Sequence, residues 1–135
     1  MGSQKKLTQS FGRGRVNHID AQEAQEALDV VLGEFLVNST LATVLFDSGA
    51  SHSFIASGFV AKHKIPMVLL KTPLITHSPG ASIKCYLGCP RVRIMIKGIE
   101  FLANLIVLQS EGIDVILGMD WLGSIKAPYH VVTEL

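Results

Sequence analysis

The segment Val44-Leu45-Phe46-Asp47-Ser48-Gly49-Ala50-Ser51 is an apolar run that ends by delivering one carboxylate onto a Ser-Gly turn. A run of this kind reads as a buried strand, and a buried carboxylate costs several kcal/mol unless it is paired, hydrogen-bonded or protonated. The chain therefore needs a polar socket around Asp47. Ser48 supplies a small hydroxyl for local hydrogen bonding, and Gly49 has no Cβ, so another backbone or a ligand can come close.

Most of the chain that follows residue 29 has strand character. Val30 to Val37 and Leu41 to Phe46 are apolar and β-branched on either side of Asn38-Ser39-Thr40, which predicts a hairpin. Leu74 to Thr76 and Ile83 to Leu87 flank Ser78-Pro79-Gly80-Ala81-Ser82, a turn-rich tip that suits a second hairpin. Val92 to Ile96 and Phe101 to Leu108 meet at Lys97-Gly98, and Asp114 to Leu117 gives a last buried strand. Ser53 to His63 has mixed helical spacing, with Ser51 or Ser53 as its cap and Pro66 as its stop. Met119 to Ile125 predicts a second short helix, so the expected class is all-β with one or two short helices. Strand, small-residue turn and helix occur twice, over Thr43 to Ile55 and again over Asp114 to Ile125. The second copy has Gly118 in its turn and no Asp-Ser-Gly, so one chain carries one such aspartate.

At 135 residues there is room for one domain, placed at 29–127. Residues 1–28 are polar and read as a flexible linker, with Gly12-Arg13-Gly14-Arg15 its most flexible part and Ala21 to Leu28 at most a short helical turn. Residues 128–135 read as a C-terminal tail. An apolar share of 48% is rich for a small monomer and predicts surface reserved for a partner subunit. The net charge of +1 provides no bulk attraction to nucleic acid or anionic membrane, and no stretch reaches the roughly 18 apolar residues of a membrane span. Cys85 and Cys89 lack a second ligand pair, and no regular spacing joins them to His77, so free thiols in a reducing compartment are expected, with no metal. Met1 to Leu7 has no apolar core of a secretory signal, and Lys6 stands where myristoylation wants Ser or Thr. The Asn38-Ser39-Thr40 sequon means little without a secretory route.

Hydrophobic-hydrophobic-Asp-Ser/Thr-Gly-Ala is the active-site signature of retropepsin-type aspartic proteases, which Leu45-Phe46-Asp47-Ser48-Gly49-Ala50 resembles. Val115-Ile116-Leu117-Gly118-Met119-Asp120-Trp121-Leu122 looks like the hydrophobic-hydrophobic-Gly segment and C-terminal helix that follow in that family, roughly 70 positions later. With Ser51-His52-Ser53-Phe54-Ile55 added, the wording is most similar to proteases of gypsy-type retrotransposon polyproteins, abundant in plants. The resemblance runs from Val30 to Lys126. It implies a retropepsin-like closed β-barrel or sandwich half with a flap hairpin, acting as a two-fold homodimer on a polypeptide substrate. It also implies residues 1–28 as a polyprotein spacer, a cytoplasmic setting that includes virus-like particles, and no cofactor.

Residue roles follow from the resemblance. Asp47 is the expected catalytic acid/base, Ser48 bonds across the dimer beneath the site, and Gly49 admits the substrate backbone. Ala50, Ser51 and His52 line the substrate path, and Ser78, Pro79, Gly80, Ala81 and Ser82 form the flap tip. Ile116, Leu117 and Gly118 pack behind the active loop, with Asp120 as a local hydrogen-bond anchor. Retroviral enzymes commonly carry acidic residues after Asp-Thr-Gly-Ala and an arginine in the second motif; here Ser51, His52 and Met119 stand there, so that ion pair cannot form.

Peptide hydrolysis by this route needs two carboxylates sharing a proton across a water, one as base toward the water and one as acid toward the carbonyl. Asp20, Asp29, Asp114 and Asp120 sit in no comparable turn, so the economical source of the second is the Asp47 of another copy. The rival from another class is a retropepsin-like dimerisation or peptide-binding module with little or no proteolysis. A serine hydrolase is disfavoured, because Gly49-Ala50-Ser51-His52-Ser53 lacks the second glycine of a nucleophile elbow and an orienting acid. His52 reads as a loop or helix-start residue rather than a base, and Trp121 as core or dimer surface.

Overall fold

β-Branched and aromatic residues on both sides of Asn38-Ser39 zip into the first antiparallel pair, β2 (Val30–Val37) and β3 (Thr40–Asp47), in register from Val30 opposite Asp47 to Val37 opposite Thr40. Both turn residues take positive φ, 49° at Asn38 and 67° at Ser39, the backbone of a type I′ turn whose twist suits the flanking strands. Asn38 also anchors the hairpin: its N–H donates to the Arg93 carbonyl at 2.8 Å, and its Oδ1 accepts from the Arg93 N–H at 2.9 Å. The structure, a computed structural model, describes residues 12–15, 30–78 and 80–124. The remaining parts of the expected linker and tail, together with Pro79, lie outside the described residues.

The other described elements are β1 (Gly12–Arg15), β4 (Phe54–Ala56), α1 (Ser57–His63), β5 (Val68–Ser78), β6 (Ala81–Ile96), β7 (Ile99–Leu108), β8 (Val115–Leu117) and α2 (Met119–Ser124). Backbone pairing runs β6-β2-β3-β8-β4-β7, and β7 pairs back onto β6, so six strands close a ring. Closure leaves those strands without open edges of the kind that invite aggregation. The fold is thus all-β with short helices and a closed barrel.

β6 is long enough to serve twice. Its end pairs with β2 and β7 in the ring, while its start pairs with β5 in a hairpin that extends from it. The two strand segments anticipated on either side of residues 88–91 are one strand interrupted by a bulge, since Cys89 pairs with Leu105 and Val92 with Ala103. Pro90 falls in that bulge, where its missing N–H breaks no ladder bond, and Arg91 there takes φ of 54° with its N–H on Asn104 Oδ1 at 2.9 Å. Pro73 likewise falls in the irregular stretch of β5 between Leu69 and Leu74.

Two expectations are corrected. Gly12–Arg15, read as the most flexible part of the linker, forms a strand parallel to β5; the outer edge of β5 presents unpaired backbone groups, and extended glycine and arginine can meet them whatever their propensity. Ser53 to Ala56 is not helical. Phe54, Ile55 and Ala56 are all buried and form β4 between β8 and β7, since a short apolar run suits a strand as well as a helix and neighbouring edges decide. Helix α1 consequently starts after Ala56, without a side-chain cap from Ser51 or Ser53, and ends at Lys64 in the left-handed conformation, two residues before Pro66.

Two packed clusters fill the interior. One lies inside the ring around Val37, Val44, Ile55, Ile94, Leu105 and Leu117. There Trp121 is core: its ring meets Phe101 edge-on at 5.5 Å and Phe46 at 6.3 Å. The other joins Leu45, Ala50, Phe54 and Ile116 to Leu74 and Cys85 of the hairpin. Cys85 and Cys89 are buried free thiols. Burial pushes the Cys85 thiol up to about 11 and raises Cys89 as well. The folded state thus holds the Cys85 proton more tightly than the unfolded chain does. Stability present below about pH 9 is therefore lost as pH rises toward 11, by about 2–3 kcal/mol from Cys85. Denaturant melts at pH 8 and pH 10.5 should show that loss, and Cys85→Ala should flatten it; an unchanged slope in the variant would assign the alkaline loss elsewhere.

Candidate active site

β3 carries Asp47 to the end of the ring between Val30 of β2 and the strand β8, where Phe46 pairs with Leu117. Asp47 is 0% exposed. The turn that follows satisfies half of it: the Gly49 N–H donates to Oδ1 at 2.8 Å, and the Ala50 N–H donates to the Asp47 carbonyl at 3.1 Å. Oδ2 is buried with no hydrogen-bond partner among the described residues. A buried unsatisfied polar atom costs about 1–3 kcal/mol, more when charged. Such an atom held ready at a turn is suited to a proton, a water or a second carboxylate.

The second motif holds this turn from behind. The Met119 N–H donates to the Ala50 carbonyl at 2.8 Å and the Asp120 N–H to the Ser51 carbonyl at 3.3 Å. The Gly118 N–H donates to Ser53 Oγ at 3.0 Å, and that hydroxyl donates to Asp120 Oδ1 at 2.6 Å. Asp120 Oδ1 accepts the Trp121 N–H as well, at 2.7 Å. Gly118 is glycine for a steric reason: a Cβ there would strike the His52 carbonyl oxygen and come within 2.7 Å of the Ala50 carbonyl oxygen. Ile116 and Leu117 are buried beside it.

The remaining residues singled out from the sequence occupy two places. Ala50 is buried under the turn, Gly49 and His52 are half-buried, and Ser48 and Ser51 are exposed. Ser51 Oγ and His52 Nδ1 share a hydrogen bond of 2.8 Å. Ser78 ends β5, Gly80 turns with φ of 78°, and exposed Ala81 and Ser82 open β6. Ser82 Oγ is 3.2 Å from His77 Nδ1. The hairpin is tied to the turn lower down, where Leu74 and Cys85 pack in one cluster with Ala50. Asp114, the other aspartate near a strand end, is engaged in the backbone: its Oδ2 accepts the Thr43 N–H at 2.8 Å and its N–H donates to the Thr43 carbonyl at 2.9 Å. Among the described residues no cluster of His, Cys, Asp and Glu is arranged to hold a metal, and no helix is long and apolar enough to cross a membrane.

Ser53 is the residue that sequence reasoning misplaced. Its signal lay in pairing rather than in helix capping: β4 runs antiparallel to β8 with Phe54 opposite Ile116, so the residue before Phe54 falls beside the residues after Leu117.

A strand-end aspartate with one oxygen held and one open, braced by a Leu-Gly segment, is the candidate site that this fold presents. Residues 10–134 match the retroviral aspartyl protease family model, and the chain belongs to that family. Its structure is similar to the EIAV protease complexed with the inhibitor HBY-793, with TM-score 0.56 and 23% identity over 76% of this chain and 93% of that one. It is also similar to the retroviral protease-like domain of Ddi1 from Leishmania major, with TM-score 0.50 and 16% identity over 74% of this chain and 76% of that one. No curated protein matches it. At these identities the structural likenesses show the fold.

Ser53→Ala removes the acceptor of a buried N–H and should cost about 1–3 kcal/mol, whereas Ser53→Thr should keep most of the stability. Gly118→Ala should cost more than about 3 kcal/mol, because backbone must move to admit the methyl. Thermal melts of the three variants check the order; a Gly118→Ala protein as stable as wild type would contradict the packing described.

Proposed function

We propose that this chain is an aspartic endopeptidase that hydrolyses a retrotransposon polyprotein, of the gypsy type found in plants, as a two-fold homodimer. The observation that carries the reading is Asp47, buried, with Oδ1 fixed by the Gly49 N–H and Oδ2 unpartnered among the described residues. Membership of the retroviral aspartyl protease family supports the same chemistry.

In the dimer, two Asp47 carboxylates flank one water and share one proton. The unprotonated carboxylate takes a proton from the water as it attacks the scissile carbonyl carbon, and the protonated one gives its proton to the carbonyl oxygen. Collapse of the tetrahedral intermediate breaks the C–N bond and hands a proton to the leaving amine. Ser48 bonds across the dimer beneath the carboxylates, and Gly49 lets the substrate backbone approach. Ala50, Ser51 and His52 line the substrate path, and Ser78, Pro79, Gly80, Ala81 and Ser82 close over an extended peptide that adds strand-like hydrogen bonds. The setting is the cytoplasm, within virus-like particles included.

Cleavage of a polyprotein-derived peptide library near pH 5 should rise more steeply than linearly with enzyme concentration, and pepstatin should stop it. Asp47→Asn should lower the rate by at least about a thousandfold, as expected when a group acting only in the transition state is lost. Activity should peak on the acidic side of neutral and decline once both carboxylates ionise. Asp47→Asn cleaving as well as wild type would sink the reading. A folded dimer that binds peptide but shows no pepstatin-sensitive cleavage from pH 4 to 7 would favour a peptide-binding module, for which the similarity to a retroviral protease-like domain of Ddi1 is a precedent of fold.

A further inference from the structure

β1 runs parallel along the outer edge of β5, with Gly12 opposite Leu74, Arg13 opposite Ile75, Gly14 opposite Thr76 and Arg15 opposite His77. The inner edge of the same stretch is taken by β6, from Leu74 opposite Cys85 to Ser78 opposite Ala81. A strand has two edges, so the outer edge at residues 74–77 holds one further strand and no more. This stretch begins at Leu74, which packs with Ala50 of the Asp47 turn, and runs up to the hairpin tip. It is the part of the hairpin beside the candidate site.

The present occupant is a poor strand. Glycine alternating with arginine has low β-propensity and loses much backbone entropy when extended, the pairing is only four residues long, and parallel ladders are slightly weaker per residue than antiparallel ones. It also leaves a polar group of the edge unserved. Thr76 is 0% exposed and its Oγ1 has no hydrogen-bond partner among the described residues, while the residue across from it is Gly14, which has no side chain to offer.

We infer that the outer edge of β5 at Leu74–His77 is the docking edge for an extended peptide, and that Gly12–Arg15 sits there as an exchangeable competitor belonging to the same chain. The inference rests on the peptide-binding part of the proposed function. Because the competitor is tethered, even weak pairing is felt at high effective concentration, and the apparent affinity for peptide is reduced by the fraction of chains whose edge is free. Peptides that displace it are extended and β-branched, and carry a hydroxyl or amide opposite Thr76, where Oγ1 gains a partner. The occupant therefore sets a threshold that favours good strand formers over arbitrary chain.

The test uses the full chain with Arg13→Pro and Gly14→Pro together, which removes a ladder N–H whichever alternate residues face β5. A fluorescent β-branched peptide is titrated onto the Asp47→Asn form with and without the two prolines, and KM and kcat are measured in the Asp47 form. The prolines should tighten binding and lower KM by about tenfold with kcat unchanged, and the free peptide spanning residues 8–19 should weaken binding again when added to the proline variant. Equal dissociation constants with and without the prolines, or no binding to either, overturn the inference. Tighter binding without any cleavage would leave it standing and remove the protease reading alone; cleavage with an unchanged KM would do the reverse.

Discussion

Asp47 sits fully buried at the barrel end, with one of its two oxygens satisfied by its own turn and the other left open among the described residues. Everything nearby serves that division. The Gly49 N–H fixes Oδ1, so the turn cannot relax without losing the bond, and the turn is in turn held by Met119 and Asp120 donating to the Ala50 and Ser51 carbonyls. Among the described residues the open Oδ2 has no partner, which costs stability in a buried setting, and the backbone bonds to Ala50 and Ser51 hold the turn in place against that cost.

Ring closure makes the support possible. β8 is only three residues long, yet it lies between β3 and β4, so the segment leaving it is delivered directly behind the segment leaving β3. Gly118 then admits two carbonyls where any side chain would clash, and Ser53 bridges its N–H to Asp120. In a chain without the acid-arginine pair of retroviral enzymes, this Ser53-Asp120 link with the backbone bonds around it is what couples the two motifs. The aromatic contacts of Trp121 with Phe46 and Phe101 fix helix α2 to the ring, so the coupling is backed by core packing.

The sequence made most of the strands, the turns at Asn38-Ser39 and Lys97-Gly98 and the short terminal helix legible, because alternation, β-branching and paired turn residues are local signals. Asp47 was legible for the same reason: a lone carboxylate in an apolar run has few physical explanations. What stayed hidden was non-local. Phe54-Ile55-Ala56 is apolar enough for either helix or strand, and only the edges of β7 and β8 make it a strand. Ser53 looked like a cap until that pairing placed it against Gly118. Gly12–Arg15 carries no strand signal at all, and its position depends wholly on an edge of β5 some 60 residues away in the chain.

The central claim is that one active site is built from two copies of Asp47. It is tested most directly by calorimetric titration of the chain with pepstatin, at protein concentrations where a dimer forms. Saturation at one inhibitor per two chains, abolished by dilution below the dimer range, is the predicted result; saturation at one inhibitor per chain would contradict a shared site.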